Sequence, residues 1–279
     1  GDTIVVEDPS FLGAFNCFRC NGARLIGVPL EDDGVDLKEL EKAFQTKPTP
    51  KLFYIIPNFQ NPAGATMSLA KRKRLYELAV KYNKIILEDN PYGDLRVAGE
   101  PLPTIKSMDT EGIVVYAGSF SKILSPGLRV AYCVGPKPIL AKMTVGKQAS
   151  DVHTPCLNQM IVYRWLRDYD VEAHIKKIQG IYRKKLNLMC DCIDKELGDF
   201  VEYVRPEGGL FIWCKLPDDV DMLDFVQRAV KKKVAVVPGN AFLMNDTDKT
   251  QYIRLNFSTP SDEKIAAGIK LLGEVAKEY

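Results

Sequence analysis

The chain has 279 residues, is 46% hydrophobic and 27% charged, and carries a formal net charge of +2. That length allows one large domain or two smaller ones, and the near balance of charge leaves no electrostatic case for nucleic acid or an anionic membrane surface. No apolar run approaches the ~20 residues of a membrane span, and no signal peptide opens the sequence.

Gly1-Asp2-Thr3 runs directly into a strand pattern over Ile4–Glu7, so we expect the whole protein to have a segment before Gly1. Asp8-Pro9-Ser10 then turns the chain, with Ser10 the expected N-cap of a helix over Phe11–Asn21 that Gly22 stops. Arg24–Pro29 reads as a strand, and Asp36 as the cap of a helix from Leu37 to Phe44. The apolar strand Leu52–Ile56 leads into Pro57-Asn58-Phe59-Gln60-Asn61-Pro62-Ala63-Gly64, a breaker-rich turn. Ser68 caps a strong helix to about Tyr82, with Leu69, Leu75, Leu78 and Ala79 as its apolar positions. Ile85–Leu87 is a buried strand that ends in Glu88-Asp89-Asn90-Pro91-Tyr92, and Val114–Ala117 and Leu128–Val134 are further strands.

Beyond Pro136 the pattern turns helical, over Ile139–Ala149, Leu157–Leu166 and a long amphipathic run from Val171 to Leu197. An α+β segment closes the chain. Its expected parts are strands at Leu210–Leu216, Val234–Val237 and Gln251–Phe257, a helix capped by Asp221 and a last helix capped by Ser261. Strands alternating with helices predict an α/β fold. The expectation is a three-layer α/β/α large domain on a mostly parallel sheet, over residues 1–165, and a smaller C-terminal α+β domain over 166–279 that includes the interdomain helix.

The seven cysteines are scattered. Cys17 and Cys20 form a C-x-x-C without a second pair or a histidine cluster, so they read as two positions on one helix face and no metal site is expected. An odd count without a secretion signal suggests reduced thiols and a cytoplasmic location. Ligands of parallel sheets bind beyond the carboxyl ends of the strands. Three polar clusters fall there: Asn58–Gly64, Asp89–Tyr92 and Ser119–Lys122. Lys122 follows a buried strand, where loss of water favours the neutral, nucleophilic amine, and the hydroxyls and Arg129 beside it suit a phosphate. Taken alone, the stretch reads equally well as a surface lysine in a strand-to-turn loop.

Asn61-Pro62-Ala63-Gly64, Asp89-x-x-Tyr92, Ser119-x-Ser121-Lys122 with Arg129 beyond it, and a late Arg254 resemble, in order and spacing, the fold-type I pyridoxal-phosphate aminotransferases of class I/II, in their aromatic/2-aminoadipate branch. The resemblance runs over essentially the whole chain. It implies that Lys122 holds the cofactor as an aldimine and shuttles the substrate's proton, and that Asp89 pairs with the pyridine nitrogen. By the same resemblance Tyr92 and Asn61 bind the cofactor's phenolic oxygen, and Ser119, Ser121 and Arg129 bind its phosphate. Phe11 stacks on the ring, where relatives commonly have tyrosine or tryptophan. Asn61 and Arg254 face the substrate, with Arg254 gripping its carboxylate. Asn58 and Gly208-Gly209 are expected to border the site.

The family carries, before the equivalent of Gly1, roughly a hundred residues, on the scale of a small domain, which include a phosphate loop and a tyrosine that reaches the neighbouring subunit. A homodimer is implied. Two alternatives stand beside amino-group transfer: a β-lyase of the same family, and the cofactor-sensing domain of a winged-helix transcription regulator.

Overall fold

The structure is a computed structural model and describes every residue from Gly1 to Tyr279. A seven-stranded sheet forms its larger part. The strands are β1 (Thr3–Asp8), β2 (Arg24–Glu31), β3 (Gly34–Val35), β4 (Leu52–Ile55), β5 (Ile85–Asp89), β6 (Val114–Ser119) and β7 (Ala131–Val134), in the order β3-β2-β1-β4-β5-β6-β7. The pairs β2/β1, β1/β4, β4/β5 and β5/β6 are parallel, and only the two edge pairs run antiparallel. The central strands read as continuous apolar runs because both faces of a parallel sheet are covered.

Side chains alternate across that sheet. Val5, Phe53, Ile55, Ile86 and Val114 point to one face and pack with Leu40, Phe44, Leu75 and Leu78 of α2 (Leu37–Gln45) and α3 (Leu69–Tyr82). Val6, Tyr54 and Ile56 point to the other, against Ala14 and Phe15 of α1 (Leu12–Cys20). Trp165, on α5 (Cys156–Asp168), completes that layer. The helix α4 (Lys137–Ser150), which precedes α5, has no buried residue, and every residue of β7 is exposed.

The four-stranded antiparallel sheet β10-β11-β9-β8 is built from β8 (Glu202–Tyr203), β9 (Phe211–Lys215), β10 (Val237–Pro238) and β11 (Tyr252–Asn256). It has its own core with α7 (Met222–Lys231) and α8 (Asp262–Ala276). The long helix α6 (Val171–Leu197) joins the two parts. Its first half, Val171 to Tyr182, lies against the larger sheet's layer, and Leu186 to Leu197 enter the smaller core.

Of the five helix caps read from the sequence, four cap as expected. Asp36, Ser68, Asp221 and Ser261 each accept backbone N–H groups of the first turn they precede. Ser10 does not. Phe11 occupies the N-cap without a side-chain bond, because the Ser10 hydroxyl is buried and unpartnered while its N–H donates to the Phe242 carbonyl. The strand expected from Leu128 starts only at Ala131, since Pro126–Leu128 form a 3-10 turn. Val234 to Val236 are not in a strand either: the Val234 N–H closes the end of α7 on the Ala229 carbonyl.

Candidate active site

The carboxyl ends of β4, β5 and β6 meet at one rim, and the three polar clusters of the sequence stand there. Asp89 ends β5. It is largely buried, and its Oδ2 accepts a 2.6 Å hydrogen bond from the Tyr54 hydroxyl. Burial pushes the Asp89 carboxyl above its ordinary range, and the Tyr54 bond opposes that shift. Tyr92 lies three residues on, buried with its ring edge-on to Phe211 at 5.8 Å. Burial, then the Asp89 charge, raises its phenol to about 12, while Arg254 and the Asn61 amide act the other way.

Asn61 is buried, and its amide oxygen accepts a 2.6 Å bond from Arg254 of β11. The bond joins the smaller sheet to the rim. The Arg254 guanidinium lies over the rings of Phe211 and Phe242, at 4.0 and 4.6 Å from their centroids. Its Nε is buried and has no partner. Lys122 is half-buried just beyond β6. Its amine is held below the ordinary lysine value by loss of water first, then by the charges of Arg129 and Arg254. No carboxylate pairs with any of these three cations. The Ser119 hydroxyl accepts the Ser121 N–H at 3.1 Å, which curls the loop. Arg129 takes a left-handed backbone conformation (φ 54°, ψ 40°) at the end of the 3-10 turn.

Phe11 is 42% exposed, with its ring folded back over Gly13, so it is not a core aromatic. Gly208 and Gly209 pack against Phe59 and the Leu95 carbonyl, where a Cβ would lie 2.4 to 2.6 Å from them. They are needed for that close approach. Asn58 is buried and bonded on both sides. A cleft of about 820 Å3 borders Ala63, Gly64, Trp213 and Tyr252, but none of Lys122, Asp89, Tyr92 or Arg254.

Beneath the rim runs a set of buried and half-buried polar residues, of which the sequence alone singled out only Asn58 for the site. Arg72 is fully buried on α3 and donates to the Met67, Pro57 and Pro103 carbonyls and to Asn58. Asn58 donates to Asn90 at 2.9 Å, and Asn90 to the Tyr116 hydroxyl at 3.0 Å. One chain of bonds thus crosses from α3 through the ends of β4 and β5 to β6. Glu7 accepts from the Ile56 N–H and from Gln60, whose own amide oxygen holds the Ala63 N–H. Burial raises the Glu7 carboxyl to about 8. Three of these had a signal: an arginine at core spacing with Leu75 and Ala79, and a glutamate and a tyrosine inside apolar strands.

The model of the family described as "Aminotransferase class I and II" matches residues 1–272. Aromatic-amino-acid aminotransferase 1 of Thermococcus litoralis is 41% identical over 282 residues, covering 100% of this chain and 67% of the relative. The crystal structure of Pyrococcus horikoshii kynurenine aminotransferase, in complex with PMP, KYN and KYA, superposes with a TM-score of 0.95 at 41% identity, covering 100% of this chain and 70% of that one. The α-aminoadipate aminotransferase LysN of Thermus thermophilus, complexed with N-(5'-phosphopyridoxyl)-L-leucine, gives a TM-score of 0.94 at 36% identity, covering 100% and 72%. With a mostly parallel α/β sheet, a lysine at its rim and relatives of this kind, the chain belongs to the class I and II aminotransferases, fold-type I enzymes that use pyridoxal phosphate.

Proposed function

We propose that the chain's amino-group transfer runs at the rim described above, with Lys122 as the catalytic amine, and that its amino donors are of the aromatic or 2-aminoadipate type. The observation that supports this most is the convergence of Lys122, Arg129 and Arg254 without a carboxylate between them. Three unpaired cations at a half-buried rim favour a ligand with more than one anionic group. Arg254 adds a buried Nε with no acceptor. The donor set therefore fits pyridoxal phosphate together with an amino-acid carboxylate. The names of the relatives support the substrate type.

When bound, the cofactor supplies an aldehyde that takes up amino groups and a ring that withdraws electrons from the substrate's α-carbon. Lys122 would hold the cofactor and then, freed, move the α-proton at its Nζ. A depressed amine pKa lets one group both accept and return that proton near neutral pH. Asp89 would bind the ring nitrogen, and Tyr92 and Asn61 the phenolic oxygen. Ser119, Ser121 and Arg129 would bind the phosphate, and Phe11 would cover the ring. Arg254 would orient the substrate carboxylate, already aimed by its two phenylalanine neighbours and by Asn61.

The same reading includes a homodimer, a cytoplasmic setting and a division of the chain at residues 165/166. Exposed apolar side chains on β7, α4 and α5 support the dimer, and the smaller sheet's own core, drawn from residues beyond 185 except for Val97, supports the division. No helix is long and apolar enough to cross a membrane. Neither the β-lyase nor the regulator reading is favoured by the named aminotransferase relatives.

Absorbance of the protein loaded with pyridoxal phosphate tests the proposal. Lys122→Ala should abolish the lysine-bound band. A panel of amino acids should convert that band in the parent protein, fastest with aromatic and 2-aminoadipate donors. Arg254→Ala should weaken amino-acid binding about 100-fold with the band retained, as expected for loss of a bidentate charged contact. A loaded protein whose band no amino acid converts would sink it.

A further inference from the structure

Tyr54 is not among the residues assigned above, yet it touches the one carboxylate assigned to the rim. It sits on β4 opposite Leu87 of β5, and in a parallel pair opposite residues share a face. Asp89, two residues beyond Leu87, returns to that face. The Tyr54 ring is 3% exposed and is fixed edge-on by Phe18 of α1, 5.6 Å away. With no access to water, the phenol has one use for its proton: the 2.6 Å bond to Asp89 Oδ2. Donors of that length to a carboxylate are the strong, charge-assisted kind.

We propose that Tyr54 is a positioning residue for the transfer reaction, whose phenol keeps Asp89 a carboxylate and fixes which of its oxygens is free for the cofactor's ring nitrogen. The inference rests on the reading that Asp89 meets that nitrogen. Its physical basis is a competition. Burial drives Asp89 toward its neutral form, in which it could no longer hold a protonated nitrogen, and the only hydrogen bond opposing this is Tyr54's. Tyr54 does not itself ionise in exchange, since burial and then the Asp89 charge push its phenol well above the ordinary value. It therefore remains a donor. The other titratable groups coupled to Asp89 are Glu7, Tyr92 and Cys133, none of which bonds to it. Glu7 is held toward neutrality by its own burial, so it adds little competing charge.

The test compares holoenzymes carrying cofactor labelled with 15N at the ring nitrogen: the parent, Tyr54→Phe and Asp89→Asn. Asp89→Asn should move the ring-nitrogen resonance toward that of free, unprotonated pyridine. Tyr54→Phe should move it part of the way and lower kcat about tenfold with KM within about twofold, the scale of one charge-assisted bond. A displaced resonance in Asp89→Asn with a parental one in Tyr54→Phe would leave Tyr54 a packing residue and overturn the inference alone. A parental resonance in Asp89→Asn would overturn the assignment of Asp89 and this inference with it. Should Tyr54→Phe not fold, 3-fluorotyrosine at position 54, a stronger donor, must shift the resonance the opposite way; no shift overturns the proposal.

Discussion

Beneath the ends of β4, β5 and β6 a series of polar side chains pairs with one another, whereas β7, α4 and α5 leave large apolar side chains in water. Arg72, Asn58, Asn90 and Tyr116 form a continuous series of bonds beneath the rim. Leu157 is 72% exposed and Tyr169 69%, and Met160, Tyr163 and Leu166 stand out beside them. The first region is completed by partners from distant parts of the same chain. The second has no such partners within it. A buried polar series is costly to break, because each lost bond strands a group that cannot reach water. An exposed apolar face costs the isolated chain almost nothing to change, whatever it does in an assembly.

The largest effect should come from Arg72→Met. It keeps the bulk of the stem but strands the Met67 and Pro103 carbonyls and the Asn58 amide oxygen, while the Pro57 carbonyl keeps the Met67 N–H, and should lower unfolding free energy by about 3–5 kcal/mol in urea denaturation. A loss under about 1 kcal/mol would mean that water replaces the guanidinium and that the region is not closed. Asn58→Ala and Asn90→Ala should each cost about 1–3 kcal/mol. Because the two residues share a bond, the double variant should lose less than the sum. Strict additivity would break the idea of one connected series.

Glu7 offers a pH-dependent version of the same test. Its pKa is raised from 4.5 to about 8 by burial, so the folded state binds its proton more tightly than the unfolded state does. Stability should therefore fall as pH rises from about 4.5 through about 8, and Glu7→Gln should flatten that slope in thermal unfolding across the range. At the rim itself, Arg129→Leu removes a neighbouring positive charge. The Lys122 amine should then titrate at higher pH than in the parent, read from the pH dependence of cofactor capture. The smallest effect is expected on the flank. Leu157→Ser and Tyr169→Ser should each change unfolding free energy by less than about 0.5 kcal/mol in dilute protein, and a loss comparable to Arg72→Met would erase the contrast.

The legible parts of the sequence were those whose cause is local. Asp36, Ser68, Asp221 and Ser261 bond to N–H groups two or three residues ahead, so a short window contains both partners. The strands at the rim announced themselves by apolar runs closed with Asn, Pro and Gly. Lys122, Asp89, Asn61, Tyr92 and Arg254 were picked out by their order along the chain, and the structure brings them to neighbouring positions. The roles of Tyr54, Glu7 and Arg72 were not legible. Their partners lie 35, 49 and 14 residues away, and nothing nearby says that a tyrosine in Leu52–Ile55 ends on a carboxylate. Ser10 misled for the converse reason: it has the chemistry of a cap, but Phe242 from beside the other sheet takes its backbone. The shortened β7 reflects the left-handed residue at Arg129, which a pattern of apolar residues cannot foretell.

That left-handed arginine has a consequence for anyone improving the protein by selection. A side chain in this conformation costs about 1–2 kcal/mol that glycine would not incur, so Arg129→Gly is a substitution that screening for heat resistance alone would enrich. The same change deletes the guanidinium proposed to hold the phosphate. Thermostability and cofactor retention are thus set against each other at a single codon, and a screen has to score both to keep the arginine.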